Sequence, residues 1–169
     1  MFFRKKKYQQ EQTYKEAYHA FFGVCMRYCT KKEEAIEVFN DAMLNFFEYE
    51  KKNKVKEQGK YSLIKKIIIN KCIDFSRKKK MLFDDIDESA PLFGTIQNEG
   101  ELNMIREELL QKVQNFPTQT RVIFNLYVFE GWSHKEIAAH LNISVNTTSW
   151  HVNQGKKQII SLLKKPNLT

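Results

Sequence analysis

The stretch from Phe116 to Ile160, FPTQTRVIFNLYVFEGWSHKEIAAHLNISVNTTSWHVNQGKKQII, divides into three helices with almost nothing between the last two. Pro117 suits the first position of a helix, where its missing N–H costs nothing. Val122, Leu126 and Phe129 then recur at helical spacing. Gly131 reads as the stop, because glycine enters a left-handed cap without a Cβ clash. Ser133 and Glu136 form the pattern S-x-x-E, a capping box in which hydroxyl and carboxylate each satisfy an unpaired backbone N–H. Ile137, Ala138 and Leu141 give the next helix its buried stripe, and Ala138 and Ala139 are small enough for another helix to cross closely.

Asn142 and Ile143 make the turn, and asparagine is the non-glycine residue that best accepts positive φ. Ser144 can cap the last helix. At 100° per residue, Thr148, Val152, Gly155 and Ile159 share one side of that helix, the expected core side. Asn146, Trp150, Asn153 and Lys157 share the other, flanked by Ser149 and Gln154. Three helices with so short a final turn have the layout of a helix-turn-helix, which sets its second helix into a DNA major groove. The plainer reading is a three-helix bundle with a polar outer face.

Charge agrees with a polyanionic partner or a membrane surface. The 169 residues hold 28 Lys and Arg against 20 Asp and Glu, a formal net charge of +8, and the pI is about 9.3. No apolar run approaches the ~18 residues of a membrane span, and MFFRKKKYQQ lacks the apolar stretch of a secretory signal. Only six glycines and three prolines interrupt the chain, which predicts an all-α protein. Cys25, Cys29 and Cys72 are an odd set without framework spacing, which suits a reducing cytoplasm. Cys25 and Cys29 lie i, i+4 with His19 nearby, but a zinc site needs four ligands and no fourth is evident. Buried structural cysteines are the expectation.

The charge is unevenly spread. From Lys60 to Lys80 there are eight basic residues and one acid, Asp74. From Met81 to Glu101 there are six acids, no base, and Pro91, Gly94 and Gly100, which reads as a flexible acidic linker over residues 81–101. Two small helical domains are therefore expected, at 10–80 and 102–165. In the first, one helix spans Tyr14 to Cys29. A second, Glu33 to Glu48, carries Ile36, Phe39, Met43, Leu44 and Phe47 as its apolar residues. Residues 51–60 read as a basic loop. The helix from Ser62 to Lys79 has its stripe at Ile64, Ile68, Cys72 and Phe75, with Lys66, Asn70 and Arg77 on another face and Tyr61 at its start. Cations beside an aromatic suit a single-stranded nucleic acid, whose phosphates follow the charges while bases stack on rings. A solvated basic face is the alternative.

Three segments, in this order, resemble the extracytoplasmic-function group of sigma factors, two-domain subunits of bacterial RNA polymerase in the sigma-70 family. Glu34 to Met43 is similar to the family's A-x-D-x-x-Q-E helix, with Glu37 in place of aspartate and Asn40 in place of glutamine. Ile67 to Arg77 is similar to its I-x-x-N-x-x-x-D-x-x-R helix, although Leu63 replaces a common tryptophan. In the tail, Phe116-Pro117, Glu136-Ile137-Ala138 and Asn142-Ile143-Ser144 match, but the frequent arginines of the last helix are missing. The resemblance covers about residues 10–165.

It implies that Glu37, Val38, Asn40 and Asp41 bind bacterial core RNA polymerase. It implies that Tyr61, Lys66, Asn70 and Arg77 contact the minus-ten element of promoter DNA, with the loop 49–61 holding a flipped base, which requires a pocket. For the minus-thirty-five element it implies Ser144, Asn146, Thr147, Ser149, Trp150, His151, Asn153, Gln154 and Lys157. Trp150 could meet a thymine methyl or anchor a protein interface. The resemblance further implies a cytoplasmic protein without direct membrane insertion, and an anti-sigma factor that can hold it at the inner membrane. It calls for no catalytic residue, metal or cofactor. Two other functions compete. One is a stand-alone helix-turn-helix regulator, which leaves the first domain unexplained. The other is a metal-dependent nuclease using Asp84, Asp85, Asp87 and Glu88, whose carboxylates crowd a linker instead of converging from rigid elements.

Overall fold

The computed structural model describes the backbone of residues 2–82 and 100–163, and the side chains of residues 7–79 and 106–161. All its elements are helical: α1 Phe2–Tyr28, α2 Lys32–Lys52, a 3₁₀ turn Glu57–Gly59, α3 Lys60–Leu82, α4 Gly100–Gln114, α5 Thr118–Val128, α6 His134–Leu141 and α7 Val145–Leu163. They divide into two compact units, Met1–Phe83 and Asp84–Thr169. Helix extends into both ends of the segment 81–101, at residues 81–82 and 100–101. The rest of that segment, with Asp84, Asp85, Asp87 and Glu88, lies outside the described residues.

In the first unit α1, α2 and α3 pack pairwise around one core. Residues 29–31 alone join α1 to α2, a connection short enough to make an antiparallel hairpin. Glu34, in the first turn of α2, accepts the backbone N–H groups of Thr30 and Lys31 at 3.1 and 3.2 Å. Lys79, near the end of α3, reaches the same carboxylate at 3.3 Å and the Thr30 hydroxyl at 3.0 Å. The corner is thereby fixed to all three helices. The core is filled by Cys25, Tyr28, Val38, Phe39, Met43, Phe46, Ile64, Ile68, Cys72 and Ile73. The three cysteines are buried free thiols, and burial pushes the Cys72 thiol well up, with the neighbouring Cys25 adding to it.

Several expectations need correction here. The first helix begins at Phe2, not near Tyr14. The basic loop is shorter than 51–60, because α2 runs to Lys52 and α3 starts at Lys60. The buried stripe of α2 is Ala35, Val38, Phe39, Ala42, Met43 and Phe46. Ile36 and Leu44 are therefore outside it, 39% and 61% exposed. Apolar residues surround more than half of this helix. Spacing alone left two faces open, and packing against α1 and α3 chose the one at i, i+3, i+4, i+7.

In the second unit α5 and α7 form the main contact, with α4 and α6 against them. Phe116 and Phe124 meet edge to face at 5.2 Å in a small cluster with Val113 and Ile159. Gly155 is what lets α7 come so close: a Cβ there would stand 2.4 Å from the Phe124 ring. Pro117 is the N-cap of α5 and Thr118 its first residue. That helix ends at Val128, three residues before Gly131. Asn125 O accepts both Phe129 N–H and Glu130 N–H, and Leu126 O accepts Trp132 N–H. Closing this wider turn takes Gly131 to φ 73°. Ala138 is buried as a close-crossing residue should be, whereas Ala139 is exposed.

Candidate nucleic-acid interface

Helices α6 and α7 are set by local chemistry. Ser133 Oγ accepts Glu136 N–H at 3.2 Å, and the Glu136 carboxylate accepts the Ser133 N–H and hydroxyl, each at 2.7 Å. The Ser133 hydroxyl, then its N–H, holds the Glu136 carboxyl below its ordinary range. Asn142 closes α6 in the left-handed region at φ 56°, ψ 50°. Ser144 Oγ then accepts Thr147 N–H at 3.0 Å and starts α7. Thr148 ties the two helices: its hydroxyl donates to Val145 O at 2.7 Å and lies 3.1 Å from His134 Nδ1. The ring of His134 stacks on Tyr127 of α5 at 4.4 Å.

The two sides of α7 differ as expected. Thr148, Val152 and Gly155 are buried, and Ile159 packs on the phenylalanine cluster. Asn146, Trp150, Asn153 and Lys157 are exposed, with Thr147, Ser149 and Gln154 half-buried beside them. Ser144 is exposed, but its hydroxyl is engaged in the cap and bonds Thr147 Oγ1 at 2.8 Å. His151 must be removed from this face. It is only 9% exposed, and its Nδ1 lies 2.8 Å from the Thr120 hydroxyl of α5. The reason is spacing: His151 follows Thr148 by three residues and precedes Gly155 by four, which is the repeat of a single helix face.

In the first unit, Glu37, Asn40 and Asp41 are exposed on α2. Asn40 Oδ1 accepts the Tyr14 hydroxyl at 2.7 Å. Val38 differs from them: it is only 3% exposed and belongs to the core, touching the surface only where it lines the same cavity as Glu37 and Asp41. Glu37 and Asp41 border a cavity of about 510 Å³ whose opposite wall is the basic end of α3, with Lys71, Arg77 and Lys78. The exposed Ile36 and Leu44 bring apolar surface to the same helix.

On α3, Lys66 and Arg77 are exposed and Asn70 is half-buried. Arg77 lies 3.9 Å from Asp74. Asn70 borders a groove of about 500 Å³ with Tyr49, Lys52 and Asn53 of α2 and its end. Tyr61 is held elsewhere. Its hydroxyl donates to Glu16 of α1, and that bond leads the causes that push its pKa up to about 12. Lys60, which sequence reasoning missed, is only 6% exposed and stands 3.5 Å from Glu57. It borders a pocket of about 240 Å³ between the 50–60 segment and α1, with Gln9, Gln10 and Thr13 on the helix side. The missing signal was the early start of α1, which brings those amides opposite the loop.

Among the described residues, no group of His, Cys, Asp and Glu could hold a metal ion, and no helix is long and apolar enough to cross a membrane. No curated protein matches the chain. Residues 106–159, from within α4 to residue 159 of α7 and including α5, α6 and the turn before α7, match the family model described as Sigma-70, region 4.

Proposed function

We propose that the chain is an alternative sigma factor of the extracytoplasmic-function group, which binds bacterial core RNA polymerase and directs promoter recognition. The observation that carries the reading is the Sigma-70, region 4 match over residues 106–159, laid on a helix-turn-helix with an outward polar face. In this reading α7 enters the major groove at the minus-thirty-five element. Asn146, Ser149, Trp150, Asn153 and Gln154 face base edges, Ser144 and Thr147 lie at the helix start beside the DNA backbone, and Lys157 meets a phosphate.

The first unit, with the domain expected at residues 10–80 inside it, takes the other two tasks. Glu37, Asn40 and Asp41 bind core polymerase, and Ile36 and Leu44 on the same helix supply the apolar area that such an interface needs. Lys66, Asn70 and Arg77 follow the minus-ten DNA. The pocket beside Lys60 has the size and polarity for a flipped base, so the loop contributes through that cavity, and Tyr61, its hydroxyl bonded to Glu16, contacts the minus-ten DNA outside it. The protein performs no chemistry, since the polymerase supplies the phosphoryl transfer. A cytoplasmic location and an anti-sigma partner follow from the same reading.

The test is gel filtration of the chain with bacterial core polymerase, followed by transcription from a forked promoter template. Co-elution with new promoter-dependent transcripts is the expected result. Failure to co-elute, with tight binding to bare duplex, would replace this reading with a stand-alone regulator. Exchanging Lys66 and Arg77 for alanine should also flatten the salt dependence of open-complex formation, by a slope of ~0.9 for each phosphate that no longer meets a cation.

A further inference from the structure

The groove-facing side of α7 carries an unusual set of groups. From Val145 to Gly155 there is no Arg, Lys, Asp or Glu. The outward polar groups are the amides of Asn146, Asn153 and Gln154, the Ser149 hydroxyl and the Trp150 indole, 57% exposed. No hydrogen bond among the described residues engages those three amides, so their donors and acceptors face solvent. The other ring that could donate to a base, His151, is turned into the core against Thr120. The nearest cations come later: Lys156 lies over the Tyr127 ring at 5.3 Å, and Lys157 stands eleven positions after Asn146, about 17 Å along the axis.

Major-groove edges differ in what they need. Guanine shows two acceptors, N7 and O6, and is read chiefly by the paired donors of Arg or by Lys. Cytosine offers a donor that suits Asp or Glu. Adenine shows one acceptor and one donor, which an Asn or Gln amide matches with its own pair, and thymine adds a methyl group that takes apolar contact. Base edges are read mainly by the N-terminal residues of a recognition helix. Here those residues can satisfy adenine and thymine, and they lack the groups that favour guanine or cytosine.

We infer that α7 selects A·T base pairs, with Asn146, Asn153 and Gln154 pairing to adenine edges and Trp150 packing on a thymine methyl. This rests on the proposed DNA-binding role of the second unit and goes beyond it by assigning the class of sequence. Trp150 thereby acts in base reading and not as a protein anchor.

The experiment is selection from a library of randomised duplexes, run with the full chain and with its complex with core polymerase, comparing the parent, Trp150→Ala and Asn153→Arg. Both positions are exposed, and matching thermal unfolding curves would show that the fold is kept. The parent should enrich duplexes whose selected positions in the α7 half-site are A·T. Trp150→Ala should lose preference for thymine over cytosine at one position by roughly tenfold, and Asn153→Arg should introduce a guanine where none was selected. A parent site fixed at G·C pairs, or an Asn153→Arg variant that selects as the parent does, would overturn this inference and leave the sigma-factor reading standing. Enrichment of no duplex in either format would overturn the DNA-binding reading and this inference with it.

Discussion

Helices α2 and α7 each present an open face, and the two faces are built from different materials. On α2 the exposed residues combine acids with aliphatics: Glu37 and Asp41 beside Ile36 and Leu44. On α7 they combine amides with one indole. Apolar area among acids fits a protein surface and repels DNA, whereas uncharged amides suit base edges and add little phosphate affinity. A positive net charge alone therefore says little about which surface would meet nucleic acid. Along α3 eight basic residues stand against one acid, Asp74, whereas the outer side of α7 is almost neutral.

Two helix glycines sit in opposite surroundings, Gly155 buried in α7 and Gly23 exposed on α1, and substitution separates them most. Gly155→Ala should cost about 1–3 kcal/mol by overpacking against the buried Phe124 ring, more than offsetting the ~1 kcal/mol that alanine gains in a helix. Gly23→Ala in α1 meets nothing within 4 Å and should raise stability by up to about 1 kcal/mol. Thermal unfolding of both variants checks this, and equal shifts would erase the contrast.

The turn between α6 and α7 comes next. Asn142→Val should lose about 1–2 kcal/mol, because a branched residue resists the left-handed backbone at φ 56°, while Asn142→Gly should lose nothing. Chemical unfolding with the second unit's Trp132 or Trp150 as fluorophore reports it.

A smaller effect is expected at the corner of the first unit. Burial raises the Glu34 carboxyl, but the Lys79 ammonium and the bonds from Lys79 and Thr30 outweigh it and hold its pKa below the ordinary 4.5. A carboxyl lowered on folding stabilises the fold above its unfolded pKa. That contribution is complete well above pH 4.5 and is lost as pH falls through the lower folded value. Glu34→Gln should therefore lower stability at neutral pH and flatten the acid limb of a stability–pH curve. An acid limb unchanged from the parent would show that the Lys79 pair contributes nothing to it.

The smallest change in stability should come from Leu44→Asp, within about 0.5 kcal/mol at so exposed a site. The same substitution should abolish co-elution with core polymerase. Retained co-elution would break the assignment of the α2 face to a protein partner.

Much of the second unit was legible because its signals are local. Ser133 and Glu136 are three residues apart, Ser144 and Thr147 likewise, and Asn142 acts through its own φ. Each satisfies a backbone group within one turn, so no distant element need be known. The division of α7 into a packed and an open side was equally readable, apart from His151. There the i−3 and i+4 neighbours, Thr148 and Gly155, pointed inward, but an imidazole suits either side until a partner such as Thr120 is in place.

The sequence by itself determined the all-helical character, the caps at Ser133 and Ser144, the left-handed turn at Asn142, the separation of charge and the polar side of α7, because periodicity and capping act within about four residues. Only the tertiary structure decided that Val38 is core and Leu44 is surface, that Lys60 is buried beside α1, and that Tyr61 is bound to Glu16. Those outcomes depend on which face of one helix a second helix covers. Pairings such as Tyr61 with Glu16, 45 positions apart, and Lys79 with Thr30, 49 apart, are settled by the packing of the whole unit.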